Sequence, residues 1–312
     1  MLFELSNEDR LRILYQLDKK AMNVTRLSKA LDLTTQETSR HVSRLSDVGL
    51  TQKDVEGLHH VTFYGEVVLK QLGGLRFISQ HNDYFTSHTL AHVPSQFLCR
   101  IGELADAHRT DNIMVAFYDI EKMMREAEEY IWTIADQYLV NTIPLFREAV
   151  ERKVSVRNIE PIDYYRYHYL PDDREAFDRA RIADFLEERI LERLDVFLSM
   201  SEREVAGVAF PLPDEKFDYL GFTATDERAH TWCEDLFQYY WERAPTRASK
   251  VEELYKWIKG RPKAIDALKG IAMGQARKYT NEKELIPKFE RMGLTKQGKL
   301  TLLGDLVSER FQ

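Results

Sequence analysis

The stretch LDLTTQETSRHVSRLSDVGL, residues 31–50, decides how the N-terminal third of the chain folds. Thr34 stands as a cap before a helix-compatible run from Thr35 to Val48, and Gly49 is suited to stop it. Thr38, Val42 and Leu45 recur at i, i+4 and i+7, so they form the inward stripe. Thr35, Gln36, Ser39, Arg40, Ser43 and Arg44 then turn outward, with Glu37 the only acid among them. Short polar and basic side chains of this kind suit a helix lying in a DNA major groove, where Arg forks onto guanine and Gln pairs with adenine. A merely solvated helix face carries the same residue types, so the neighbouring segments have to decide.

Upstream, Ser6 followed by Asn7, Glu8 and Asp9 reads as a capped helix start, with Leu11, Ile13, Leu14 and Leu17 as its apolar stripe. Asn23 caps a second helix carrying Leu27, Ala30 and Leu31, and Asp32-Leu33 turns the chain into the third. Downstream, Leu50–Lys53 reads as a strand, Asp54–Gly57 as a turn and His59–Thr62 as the return strand. A two-stranded wing directly after such a helix is a winged-helix arrangement. LDLTTQETSRHVSRL (31–45) resembles the second and third helices of ArsR-type and related prokaryotic winged helices, and VTFYGEVVLKQL (61–72) resembles their exit through a Thr-x-x-Gly turn. The resemblance covers about seventy residues. It implies base contacts from Thr35, Gln36, Ser39, Arg40, Ser43 and Arg44, and phosphate contacts from Lys53, His59 or His60. The tip Asp54-Val55-Glu56 is acidic where many members are basic, so the wing is expected to contribute less than the helix.

From 113 to 159 the pattern alternates. Ile113–Phe117 reads as a strand, Ile120 to Ala127 as a helix, Ile131–Ile134 as a strand, Leu139 to Val150 as a helix and Val154–Ile159 as a strand. That order predicts a largely parallel sheet with covering helices. A charged helix is expected over 173–191, strands at 195–200, 205–210 and 217–223, and a helix near 226–243 whose aromatic run Phe237–Trp241 belongs to the core. FTSHTLAHVPSQFLCRIGEL (85–104) and WCEDLFQYYWERA (232–244) resemble the middle domain of the archaeal methanogenesis-regulatory-protein family. The element order is similar to the sensor domain of TrmB-type regulators, related to the phospholipase D fold. No His is followed two residues later by Lys, and no phosphate-binding Gly loop or nucleophile elbow is present, so no enzyme activity is expected. His81, His88 and His92 with Asp83 read as structural rather than as a metal site, and Cys99 and Cys233 as small core residues. Ligands of α/β sheets bind beyond the C-terminal strand ends. Here that points to Asp136 and Gln137, and to Asp163, Tyr164, Tyr165, Arg166 and His168, as groups for an anionic or sugar-like effector, although YYRYHYL (164–170) equally reads as an ordinary half-buried loop.

After Pro245 the chain repeats features of its start: Leu14-Tyr15 returns as Leu254-Tyr255, Val48-Gly49-Leu50-Thr51 as Met292-Gly293-Leu294-Thr295, and Thr62-x-x-Gly65 as Thr301-x-x-Gly304. A second, reduced winged-helix-like domain is expected, with Asn281 and Glu284 as a capping box and Pro287 inside its third helix. Its outward face mixes Glu282, Glu284 and Glu290 with Lys283, Lys288 and Arg291, a poor match for phosphates.

The net charge of −7 is unevenly spread: residues 1–72 balance ten basic against ten acidic side chains, 73–247 carry −13 and 248–312 carry +6. Total charge therefore neither supports nor excludes DNA binding, which depends on the docking face. With no apolar run near the ~20 residues of a membrane span, the expected place is the cytoplasm. Altogether the sequence predicts a multi-domain α+β regulator. Its parts are a winged helix-turn-helix (1–72), an α/β sensor or dimerisation domain (73–247) and a winged-helix-like tail (248–312). It is expected to bind double-stranded DNA as a homodimer, without cofactor, under a possible small-molecule effector. The alternative is a protein–protein scaffold built on tandem winged helices.

Overall fold

The computed structural model describes residues 1–137, 141–164, 171–274 and 285–311. Contacts divide the chain into two compact units, Met1–His81 and Asn82–Gln312.

In the first unit a short helix α1 (Leu2–Leu5) leads into α2 (Glu8–Lys19), α3 (Val24–Leu31) and α4 (Thr35–Asp47). A ribbon of β1 (Thr51–Lys53) and β2 (His59–Val61) follows, then the long helix α5 (Phe63–Gln80). Asn23 and Thr34 cap α3 and α4 as expected, their side chains accepting the backbone N–H of Arg26 and Glu37. The cap of α2 is Asn7 rather than Ser6, whose hydroxyl instead donates to the Phe3 carbonyl and closes α1. Ile13, Leu14, Leu27, Leu45 and Leu50 are fully buried together. At roughly 1.5–3 kcal/mol per buried aliphatic side chain, that cluster is the main source of stability for so small a unit. The α5 helix runs on through Gly73 and Gly74, so the unit ends beyond the expected boundary at residue 72.

The second unit is built on a seven-stranded sheet in the order β3 (His108–Thr110), β9 (Gly221–Ala224), β8 (Val205–Ala209), β7 (Phe197–Ser201), β4 (Tyr130–Ile134), β5 (Ser155–Pro161), β6 (Leu186–Leu191). The sheet is mixed rather than largely parallel. β4–β5 and β5–β6 pair parallel, whereas β4–β7, β7–β8, β8–β9 and β3–β9 pair antiparallel. Helices join the three parallel strands β4, β5 and β6, and another carries the chain from β3 across to β4. β7, β8 and β9 follow one another without a crossover helix, which returns each strand antiparallel to the last. Two elements differ from their sequence reading. Ile113–Phe117 opens the helix α8 (Ile113–Glu126), capped by Asn112. Its buried face is Ala116, Ile120, Met123 and Met124, while Met114 is 70% exposed. A short apolar run does not by itself separate strand from helix, and the helical period continuing beyond it wins. The charged stretch expected as one helix over 173–191 divides into α10 (Pro171–Ile182) and the strand β6. Some of its charges turn inward: Glu188 meets Arg181 and Arg247, and Arg189 donates to the Trp241 carbonyl.

Helices α8, α9 (Thr142–Glu151) and α10 lie against the sheet strands, as does α11 (Glu227–Arg243). Two short helices, α6 (Asn82–Ser87) and α7 (Ser95–Leu98), precede β3. The α11 aromatics are core as expected, with Phe237 stacked on Trp132 at 4.7 Å between centroids. Among the described residues no helix is long and apolar enough to cross a membrane.

The last part comprises α12 (Arg247–Lys259), α13 (Pro262–Ala272), α14 (Leu285–Arg291), a ribbon of β10 (Thr295–Lys296) and β11 (Lys299–Leu300), and α15 (Leu302–Glu309). Its core takes in Ile162 and Ile190 from the sheet strands and their ends, so it packs on the sheet rather than standing free. Arg247 pins it there. This guanidinium sits between the carboxylates of Glu160 and Glu188, all three nearly excluded from solvent. Burial pushes the Glu160 carboxyl up. At Glu188 burial acts the same way but is outweighed by Arg247 and Arg181, which hold it at about 2. The edge of β6 is closed by the same connection: Ile190 N–H donates to the Pro245 carbonyl at 3.0 Å, and Arg189 bridges Thr246.

Candidate nucleic-acid interface

The α4 helix is fixed at its start by a reciprocal cap. Glu37 N–H donates to the Thr34 hydroxyl, and the Glu37 carboxylate accepts from the Thr34 N–H at 3.1 Å and its hydroxyl at 2.6 Å. These hydrogen bonds hold the Glu37 carboxyl below the usual carboxylate range. This carboxylate is thereby committed to the helix start, where the dipole favours it, while Asp47 in the last turn stays exposed. Thr38, Val42 and Leu45 face the core as expected, and His41 joins them at 6% exposure, a burial the sequence reading had not singled out. Burial pulls the His41 imidazole down.

Thr35, Gln36, Ser39, Arg40, Ser43 and Arg44 are all exposed on one surface of α4. Arg40 has no hydrogen-bond or ion-pair partner among the described residues. Arg44 has one that the sequence did not show. Its Nε and Nη2 donate to the two carboxylate oxygens of Glu4 at 2.9 and 3.0 Å, and its guanidinium lies 5.7 Å from the Phe3 ring centroid. Glu4 is gripped from below by Arg10, whose Nε lies 3.2 Å from the carboxylate and also donates to the Glu4 carbonyl.

In the wing, Lys53 is exposed and His60 half-buried. His59 is a correction: at 9% exposure it does not offer itself to a phosphate. The reason is a third strand-like contact, Met22, which exchanges two backbone hydrogen bonds with His59 at 3.0 and 2.8 Å and covers it. Burial lowers the affinity of its ring for a proton. The acidic tip also has a structural cause. Asp54 Oδ1 accepts the N–H groups of Glu56 and Leu58, so the carboxylate builds the turn.

The expected effector groups are dispersed. Asp136 and Gln137 are both bound by the Tyr219 hydroxyl, and Gln137 borders a water-sized cavity of about 30 Å³. Tyr164 is 5% exposed, and its carbonyl accepts the Leu302 N–H, so it belongs to the seam with α15. Tyr165, Arg166 and His168 lie outside the described residues, as do Asn281, Glu282, Lys283 and Glu284. A larger cavity of about 600 Å³ lies elsewhere, between α10, β6, α12 and α15, and no sequence signal pointed to it.

The repeat seen in the sequence is a repeat of hydrogen bonds. After α4, Gly49 (φ +77°) turns the chain, Leu50 N–H donates to the Leu45 carbonyl, Thr62 N–H donates to the Leu50 carbonyl, and the Thr62 hydroxyl bonds the Gly49 carbonyl and accepts Gly65 N–H. After α14, Gly293 (φ +71°), Leu294, Phe289, Thr301 and Gly304 make the same set. In both, the second glycine is required by contact: a β-carbon at Gly65 or Gly304 would overlap the carbonyl oxygen of Leu50 or Leu294.

Residues 7–53 match the family described as bacterial regulatory protein, arsR family. The first unit thus carries a helix-turn-helix of the arsR type. No curated protein matches the sequence. Among solved structures the chain is similar to TrmBL2, described as an archaeal chromatin protein with a novel mode of DNA binding. They share 17% identity at a TM-score of 0.35, over 76% of this chain and 93% of that one. It is also similar to a putative O-methyltransferase from Nostoc punctiforme, at 12% identity and a TM-score of 0.23 over 60% of each chain. Likenesses this distant carry no argument about activity.

Proposed function

We propose that the chain is a DNA-binding transcription regulator, not an enzyme, and that it reads double-stranded DNA with the outward face of α4. The observation that carries this is the composition of that face: six exposed polar or basic side chains on a capped helix of arsR type, with Glu37 tied to the helix start and Asp47 in the last turn the other exposed acid. The base contacts fall to Thr35, Gln36, Ser39, Arg40, Ser43 and Arg44, with Lys53 and His60 left for phosphate. A single helix makes few contacts, so two copies reading half-sites about 34 Å apart are expected. The exposed apolar side chains Phe63, Val67, Leu75 and Ile78 along α5 support such pairing. An effector of the second unit would use the cavity of about 600 Å³, a volume ordinary for small-molecule sites. The scaffold reading is disfavoured by an outward α4 face that offers no large apolar side chain.

The test is binding to duplex DNA over a salt series. Phosphate contacts release counterions and give a steep dependence, which scaffold contacts largely lack. Arg40→Ala should weaken binding to a selected site by roughly tenfold, as loss of an Arg–guanine contact worth about 1–3 kcal/mol requires. Salt-independent binding, or full affinity in a folded Arg40→Ala protein, would refute the reading.

A further inference from the structure

Two arginines stand on the outward face of α4, and the structure treats them differently. Arg40 makes no hydrogen bond or ion pair among the described residues. Arg44 is held in a two-bond fork by Glu4, through Nε and Nη2. A guanidinium has two forked edges, one formed by Nε with Nη2 and one by Nη1 with Nη2. Glu4 takes the first. The second has no partner among the described residues, and it is a fork able to meet guanine O6 and N7. Glu4 does not move freely with its partner. Its side chain is only 12% exposed, Arg10 at 7% exposure holds it from the opposite side, and Arg10 also bonds the carbonyls of Phe3 and Glu4. The fork thus hangs from a buried anchor, which is how a long, rotamer-rich side chain is ordered before it binds.

We propose that Glu4 is a specificity-determining positioning residue, which holds Arg44 by its Nε edge so that its Nη edge is presented to one guanine. This rests on the reading of α4 as the DNA-contacting helix. The pairing has a second consequence. Glu4, shared by Arg10 and Arg44, offsets part of the Arg44 charge, so Arg44 adds less to general phosphate attraction than Arg40 does. Both arginines can reach bases, but Arg40, one helical turn away, also supplies the larger share of the attraction.

The experiment uses the full chain and a random-sequence duplex library, with selection followed by titration over salt. The proteins are wild type, Arg40→Ala, Arg44→Ala, Glu4→Gln, Glu4→Asp, the Glu4→Gln/Arg44→Ala double variant and Glu8→Gln. The last is a charge control at an exposed acid nearby. Wild type should select a motif with a guanine that Arg44→Ala loses. Glu4→Gln should lower preference for that guanine at least threefold while tightening binding to the library as a whole. Glu4→Asp keeps the charge but not the reach, so it should relax the same base without the general tightening. Glu8→Gln should tighten slightly and leave the motif alone, and Glu4→Gln should change nothing at that base once Arg44 is absent. Arg40→Ala should reduce the salt slope by about one, more than Arg44→Ala does. An Arg44-dependent guanine that both Glu4 variants retain would overturn this inference alone, as would a motif altered by Arg40→Ala but lacking any Arg44-dependent guanine. A wild-type protein that selects no motif would overturn both this and the function it rests on.

Discussion

The two ends of the chain share one latch and put it to opposite uses. At the first, the Gly49–Leu50–Thr62–Gly65 set closes a unit whose helix α4 presents an exposed polar face. At the second, the Gly293–Leu294–Thr301–Gly304 set sits against the sheet. Gly293 lies on Ile162, Lys296 pairs with Asp163 at 2.6 Å, and Leu302 N–H bonds the Tyr164 carbonyl. On α14, Lys288 is drawn over the Trp257 ring. The difference teaches that a repeated hydrogen-bond frame fixes a fold but not a role. What decides the role is whether the groups around the latch are left to solvent or used by the chain itself.

That contrast can be broken from either side. The largest effect is expected at Arg247, which pins the second region to the sheet. Arg247→Ala leaves the buried Glu160 carboxylate without its ion-pair partner and Glu188 with Arg181 alone, and should cost about 3–5 kcal/mol. All four tryptophans lie beyond residue 81, so tryptophan fluorescence, excited clear of the tyrosines, reports on the second unit alone. The fluorescence melt should drop sharply, and an unchanged melt would mean the region is not held by this charge cluster. Next come the latch glycines. Gly304→Ala and Gly65→Ala each force a backbone shift and should each cost roughly 1–3 kcal/mol. Gly304→Ala should move the fluorescence transition, whereas Gly65→Ala should move only the circular dichroism of the first unit. If either substitution moved both transitions equally, the two latches would not be independent.

The smallest effect is one of pH. His41 and His59 are held below the ordinary imidazole value of 6.5, chiefly by burial. An imidazole with a lowered folded value is protonated more readily in the unfolded chain. Its contribution is therefore full above about 6.5 and lost as pH falls below that value. The first unit should melt at lower temperature at pH 5.5 than at pH 7.5, and His41→Leu should shrink the gap. A gap that His41→Leu leaves untouched would assign the pH dependence elsewhere.

Legibility in the sequence followed the range of the interaction. Asn23, Thr34 with Glu37, and the Thr38–Val42–Leu45 stripe act within one helical turn or two, and their spacing alone placed α3 and α4. The exposed face of α4 was readable for the same reason. Glu4, forty residues from Arg44, had no local signal, and neither did the Met22 backbone that covers His59. In the second unit the strand and helix order was mostly visible, but strand direction was not. An apolar strand reads alike in either direction, and only the absence of crossover helices after β7 shows that the chain doubles back. The split of α10 from β6 was hidden because Glu188 and Arg189 read as surface charges, and only the fold shows that their partners are buried with them.

One consequence concerns how copies of this chain meet. The outer edge of β6 is already occupied at Ile190 by the carbonyl of Pro245, on the connection that leads into α12. At the opposite margin β3 is only three residues long. A neighbour seeking to lengthen the sheet therefore finds one border taken up at its end by the chain's own backbone and the other too brief to zip against. Association is left to side-chain surfaces, where a single substitution tunes it, and the runaway stacking that open strand borders invite is discouraged at the same stroke.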